Sequence, residues 1–127
     1  MIEDLKREEG FRGEPYDDHL GNPTIGYGTK LPLTEEEAEV LLLYRLQNFK
    51  YELMAKIPFW LNLSENQKDA LSQMAYQMGV SGLLKFKKTL RFLELGDGEN
   101  AYKEALNSRW AKQTPSRAER VAQLLRG

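Results

Sequence analysis

Apolar residues recur at helical spacing along most of this chain, and the pattern fails in one stretch. Ile2 and Leu5 share a face of a short helix expected over residues 2 to 9, with Gly10 as its stop. From Gly10 to Pro32 the chain is punctuated by Gly13, Pro15, Gly21, Pro23, Gly26 and Gly28, too often for a helix. Residues 16–18 and 24–27 read as two short strands joined by a turn at 20–22. Helical spacing resumes after Thr34, which with Glu37 forms a capping box ahead of Ala38, Leu41, Leu42, Leu46, Phe49 and Leu53. That helix ends before Pro58. Ser64 and Gln67 make a second capping box, before Ala70, Leu71, Met74, Ala75 and Met78, and Gly79 stops the helix. Further helices are expected over 83–95, over 99–108, and from Thr114-Pro115 onward, with Thr114 as cap and Pro115 at the first helical position. The last turns Ala118, Val121, Leu124 and Leu125 inward.

The pattern predicts an α+β, mostly α fold of two lobes in one domain. A small β-containing lobe covers about 11–33, a connecting helix 34–53, and a helical lobe 54–127 together with the N-terminal helix 1–10. A junction between lobes is a usual place for a ligand cleft. The sequence of 127 residues suits a single domain. Its 41% hydrophobic and 29% charged content is that of a globular protein. No cysteine and one histidine, His19, exclude a disulfide framework and a thiolate zinc site, and leave little for a histidine metal cluster. No segment approaches the ~20 apolar residues of a membrane span, so no stable membrane insertion is expected. Met1-Ile2-Glu3-Asp4 lacks the basic start and apolar run of a secretory signal.

Net charge is -1, which gives no reason to expect a nucleic-acid partner. The distribution is uneven. Residues 1–65 hold 7 Lys+Arg against 13 Asp+Glu, and residues 66–127 hold 11 against 6. The acids gather in the first half, and the second half could lean on an anionic polymer, although charge blocks also arise as ordinary solvated faces.

Among those acids, eight residues separate Glu9 from Asp18, and five more separate Asp18 from Thr24. Two carboxylates across a sugar bond are the minimum apparatus of glycoside hydrolysis, one protonated and one ionised. Glu9 closes a helix, Asp18 closes the first strand and Thr24 opens the second. Burial beside an apolar group such as Phe11 would keep Glu9 protonated, while Asp18 stays ionised in a wetter place and shares a water with the Thr24 hydroxyl. In so acidic a stretch the spacing alone also fits a solvated helix-end Glu9 and a turn residue Asp18.

Glu9-Gly10-Phe11-Arg12, Tyr16-Asp17-Asp18 and Thr24-Ile25-Gly26-Tyr27-Gly28 together resemble the active-site region of the phage lysozymes, the T-even endolysins of glycoside hydrolase family 24. Gln77-Met78-Gly79, Phe86, Thr89-Leu90-Arg91, Ser108-Arg109-Trp110 and Gln113-Thr114-Pro115-Ser116-Arg117-Ala118 follow in the same order, so the resemblance covers nearly the whole chain. It implies a muramidase that lyses the bacterial wall by cutting the β-1,4 bond between N-acetylmuramic acid and N-acetylglucosamine of peptidoglycan. Glu9 would be the general acid, Asp18 the base or stabiliser, and Thr24 would place the water. Inversion would require the two carboxyl groups to stand roughly 6.5–9.5 Å apart. The resemblance also implies saccharide contacts from Tyr76, Gln77, Thr89, Lys30 and Glu104, and an Arg117 that orients the catalytic acid. It implies no metal or organic cofactor, a monomer, and a protein held in the host cytoplasm until a holin lets it reach the periplasmic wall.

The chain departs from that pattern in places. Thr29 stands where many relatives have His, and Glu104 where a neutral amide commonly meets the sugar. Only residues 29–33 separate the second strand from the capping box at Thr34, where relatives usually carry a longer stretch. The pI of about 5.9 is low for the family. A lytic transglycosylase, which needs one acid and leaves an anhydro end, and a non-catalytic peptidoglycan-binding module are the rival readings. The intact Glu9, Asp18 and Thr24 set argues against the second.

Overall fold

Helix α1 (Ile2–Glu9) opens the chain in a computed structural model that describes residues 1–127. Glu3 and Asp4 lie in its first turn, with Lys6 and Arg7 in its last, the order that complements the helix dipole. Gly10 ends it at φ 68, a backbone region natural to glycine, and returns its N–H to the Lys6 carbonyl. An antiparallel sheet follows, in the order β1 (Arg12–Asp17), β2 (Pro23–Gly26), β3 (Thr29–Lys30). Tyr16 pairs with Thr24, and Thr24 with Lys30. The β1–β2 register slips between Arg12 and Tyr16, where Gly13 and Pro15 lie; a proline without an N–H belongs at such an irregularity. The first strand therefore starts earlier than its sequence pattern suggests and ends one residue before Asp18. Strand β3 is an addition to the two expected.

Helix α2 (Glu35–Lys56) begins with the expected capping box. The Thr34 N–H donates to Glu37 Oε1 at 2.9 Å, and the Glu37 N–H to Thr34 Oγ1 at 3.1 Å. The chain divides into two compact units, Met1–Leu41 and Leu42–Gly127, and the division falls within this helix. Its apolar stripe is buried at one end only. Leu53 is buried and Leu46 and Phe49 are half-buried, whereas Ala38, Leu41 and Leu42 are exposed.

In the second unit a 3-10 turn (Trp60–Asn62) leads to α3 (Glu65–Met78). Its cap is the expected reciprocal pair of Ser64 and Gln67, and Gly79 closes it at φ 82. The single helix expected over 83–95 is instead two, α4 (Val80–Leu84) and α5 (Lys87–Glu94), broken at Lys85-Phe86. Asp97 caps α6 (Gly98–Leu106), which ends short of Ser108. Ser108 instead caps α7 (Arg109–Gln113), a helix the apolar spacing does not reveal. Thr114 precedes α8 (Pro115–Gln123), but its hydroxyl donates back to the Trp110 carbonyl at 3.0 Å and caps nothing. A 3-10 turn (Leu124–Arg126) ends the chain described.

One apolar core fills this unit, with Leu53, Leu71, Met74, Leu83 and Leu125 completely buried. Burying each such side chain is worth about 1.5–3 kcal/mol. Ala118, Val121 and Leu125 point inward as their spacing predicts, while Leu124 is only half-buried. The chain end docks on α6 through backbone: a Cβ on Gly98 would meet the Leu125 and Arg126 carbonyl oxygens at 2.7 and 2.8 Å. Gln67 Nε2 donates to the same Leu125 carbonyl at 3.0 Å, and Tyr102 donates to Glu119 across α6 and α8 at 2.7 Å. No helix is long and apolar enough to cross a membrane.

Candidate active site

Four of the candidate residues, Glu9, Asp18, Thr24 and Lys30, belong to the first unit. Asp18 sits just past β1 and organises the turn to β2. Its backbone N–H donates to the Asn22 carbonyl at 2.9 Å, and its own carbonyl accepts from the Gly21 N–H at 2.9 Å. The carboxylate closes the turn from the side: Oδ1 accepts the backbone N–H groups of Leu20 at 2.9 Å and Asn22 at 2.8 Å. Oδ2 accepts the Lys30 ammonium at 2.5 Å and, more weakly, Asn22 Nδ2 at 3.4 Å. The register places Lys30 there, because Lys30 pairs with Thr24 on β2 and Thr24 with Tyr16 near the end of β1. The Asp18 side chain is only 10% exposed, and that of Lys30 is 58% exposed. The Lys30 ammonium, then the Asn22 N–H, hold the Asp18 carboxyl far below the ordinary carboxylate range, against desolvation that works the other way. Lys30 is raised in turn, chiefly by Asp18 and further by the charge of Glu9.

Thr24 is the one buried side chain of the first unit, 1% exposed. Its hydroxyl proton is committed to the Asn22 carbonyl at 2.8 Å, which leaves the oxygen as an acceptor. Glu9, at the last turn of α1, reaches the bend between β2 and β3. Its carboxyl lies where a Cβ on Gly28 would stand, and Gly28 has φ 72, so both space and backbone call for glycine. Tyr27 holds the helix to this bend: Phe11 packs on its ring at 5.6 Å, and the Lys6 ammonium lies 5.6 Å from its centroid. Phe11 thus does not bury Glu9 as expected. The Phe11 ring is 68% exposed and lies against Tyr27, and Glu9 is itself exposed. Gly28 and Lys30, two positions apart, therefore carry the neighbours of both carboxyl groups on one short segment.

The remaining candidates belong to the second unit. Tyr76 is exposed on α3 and meets Phe49 edge-on at 6.0 Å. Gln77 accepts the Trp110 indole N–H at 2.9 Å. Thr89, on α5, is 1% exposed and Glu104, on α6, is half-buried; both line one pocket of about 540 Å³. Phe86 and Trp110 pack edge-to-face beside it at 6.0 Å. Lys85, Lys87, Lys88 and Arg109 also line it, so its charge is mostly positive against Glu104. Trp110 is buried, and Arg109 is exposed at the pocket. Arg117 is exposed in the first turn of α8. The sequence reading missed the Lys30 link to Asp18, the three bonds that tie Asn22 to Asp18, and the pocket lysines. The positive balance of the second half was the only available sign of the last.

The first unit thus holds a turn-locked Asp18, a buried Thr24 acceptor on β2, and Glu9 on α1 against the Gly28 bend. The chain belongs to the phage lysozyme family, whose model matches residues 6–126. It is 33% identical over 156 aligned positions to the pre-baseplate central spike protein Gp5 of Enterobacteria phage T4, covering 98% of this chain but 27% of that protein. It is 32% identical over 149 positions to a probable T4-type lysozyme 2 of Dictyostelium discoideum, covering 92% of this chain and 88% of the relative. An endolysin of Salmonella phage P22 is 34% identical over 88 positions, 61% of this chain and 59% of its own length. This is a family of peptidoglycan-lytic lysozymes.

Proposed function

We propose that this protein is a muramidase, hydrolysing the β-1,4 bond between N-acetylmuramic acid and N-acetylglucosamine, with Glu9 as general acid and Asp18 as base. The observation that carries the reading is the segment 28–30, which has the Glu9 carboxyl against Gly28 at one end and the Asp18 carboxylate against Lys30 at the other. Glu9 protonates the glycosidic oxygen as the C1–O bond breaks. Water attacks C1 from the opposite face and gives its proton to Asp18, so the anomeric centre inverts. Thr24, its own proton held by Asn22, accepts a hydrogen bond from that water and aims its lone pair. Asp18 stays ionised throughout the approach, and its negative charge also stabilises the oxocarbenium character of the transition state. Tyr76, Gln77, Thr89 and Glu104 contact the glycan in this reading. The basic lining around Thr89 suits a wall polymer that carries carboxylates.

Product analysis tests the reaction. Purified peptidoglycan digested with the protein should release muropeptides with reducing N-acetylmuramic acid ends, each heavier by one water, with the α anomer formed first. Anhydro ends would make the protein a lytic transglycosylase, and β-first products would replace inversion by retention. Binding without release of either end would make it a wall-binding module.

A further inference from the structure

The carboxylate of Asp18 is saturated. A carboxylate has about four acceptor sites, and here Leu20 N–H, Asn22 N–H, Asn22 Nδ2 and Lys30 Nζ occupy them. The two backbone donors bind Oδ1 and belong to the turn; they cannot leave without opening it. Oδ2 holds only the long contact to Asn22 Nδ2 and the ammonium of an exposed, flexible lysine. We propose that Lys30 is a positioning residue for Asp18: its ammonium occupies the one oxygen not committed to the turn, fixes the plane of the carboxylate, and must yield that oxygen to water during catalysis. The inference rests on the reading of Asp18 as base.

The step balances without any further reactant. The C1–O bond breaks as the leaving oxygen takes the Glu9 proton. The water oxygen bonds to C1 and its proton passes to Oδ2, from which the lysine has moved aside. On return the Lys30 charge favours loss of that proton to solvent and so resets the carboxylate. The price is a weak base at rest, consistent with the strongly lowered Asp18 titration, of which Lys30 is the largest cause. The other titratable and charged groups on the surrounding elements of this unit are Arg12, Glu14, Tyr16 and Asp17 on β1, His19 in the turn, Tyr27 in the bend after β2, and Glu9 with the other charged residues of α1. Of these, Glu9 and Tyr16 act on Lys30 by raising it further.

The test is the pH profile of kcat/KM on a soluble glycan of alternating N-acetylglucosamine and N-acetylmuramic acid, whose acid limb reports the free enzyme's base. Wild type should show no carboxylate limb down to the ordinary Asp range near ~3.9. Lys30→Met should bring that limb up by about 1–3 pH units, the usual reach of an opposite charge in contact, with KM within about twofold of wild type and Lys30→Arg restoring the original profile. Lys30→Gln keeps a polar neighbour and should show the same shift, so it serves if Lys30→Met does not fold. A raised KM with an unmoved limb would make Lys30 an ordinary saccharide contact and overturn the proposal, as would a profile unchanged in every variant. Asp18→Asn is measured in parallel. If it retains full activity, the reading of Asp18 as base falls; if it is inactive while the Lys30 variants leave the limb unmoved, only the inference about Lys30 falls.

Discussion

The two units of this chain are held in order by different physics. Every buried apolar side chain lies at Leu53 or beyond, inside the second unit. The first unit buries one side chain, and that is a threonine. A segment of 41 residues without an apolar core gains almost nothing internally from hydrophobic burial. Its internal order comes from the three-stranded ladder, the Tyr27 contacts and the bonds into the Asp18 carboxylate. On the proposed reading, the carboxylate those bonds hold is the catalytic base. The comparison teaches that a carboxylate such as Asp18 can be held ionised and aimed by polar bonds alone, while apolar packing orders the other unit.

Substitutions can break this division. The largest stability effect should come from Leu71→Ala, which empties a completely buried site and should cost about 2–5 kcal/mol in denaturant unfolding. The pH profile of the remaining folded enzyme should stay as in wild type. Gly28→Ala should act the other way round. It forces a side chain into a left-handed backbone position, a cost of about 1–2 kcal/mol, and pushes on the Glu9 carboxyl. Activity should fall by more than that cost in stability explains, read as kcat/KM beside a chemical melt. Smallest is Ser64→Ala, which removes the α3 cap and should cost about 0.5–2 kcal/mol without touching kcat.

Much of the helical architecture was legible because local chemistry marks it. Thr34 with Glu37 and Ser64 with Gln67 are caps that act within four residues, and both form as expected. Gly10 and Gly79 end helices with the positive φ that only glycine takes easily. The break at Lys85-Phe86 carries no Gly or Pro. It arises where Phe86 turns its ring to Trp110, far along the chain, so no window of local sequence displays it. Strand β3 is two residues long and exists only through its pairing with β2. Helix α7 is short enough that five residues carry no periodicity, although its Ser108 cap was a readable sign. Glu9, Asp18 and Thr24 were visible as a spacing and a family resemblance. Their environments were not. The expected Phe11 shelter failed because an aromatic at that position finds Tyr27 instead, and the Lys30–Asp18 pair spans twelve positions and depends on strand register.

The central claim is that the chemistry is carried by Glu9 on the small polar unit. Its most direct test is the loss of turbidity of outer-membrane-permeabilised Gram-negative cells, wild type beside Glu9→Gln, with circular dichroism confirming that both are folded. The account predicts clearing by wild type and a rate lower by about 10²–10⁴-fold or more in the variant, the share a general acid supplies. Clearing by folded Glu9→Gln at the wild-type rate would contradict it.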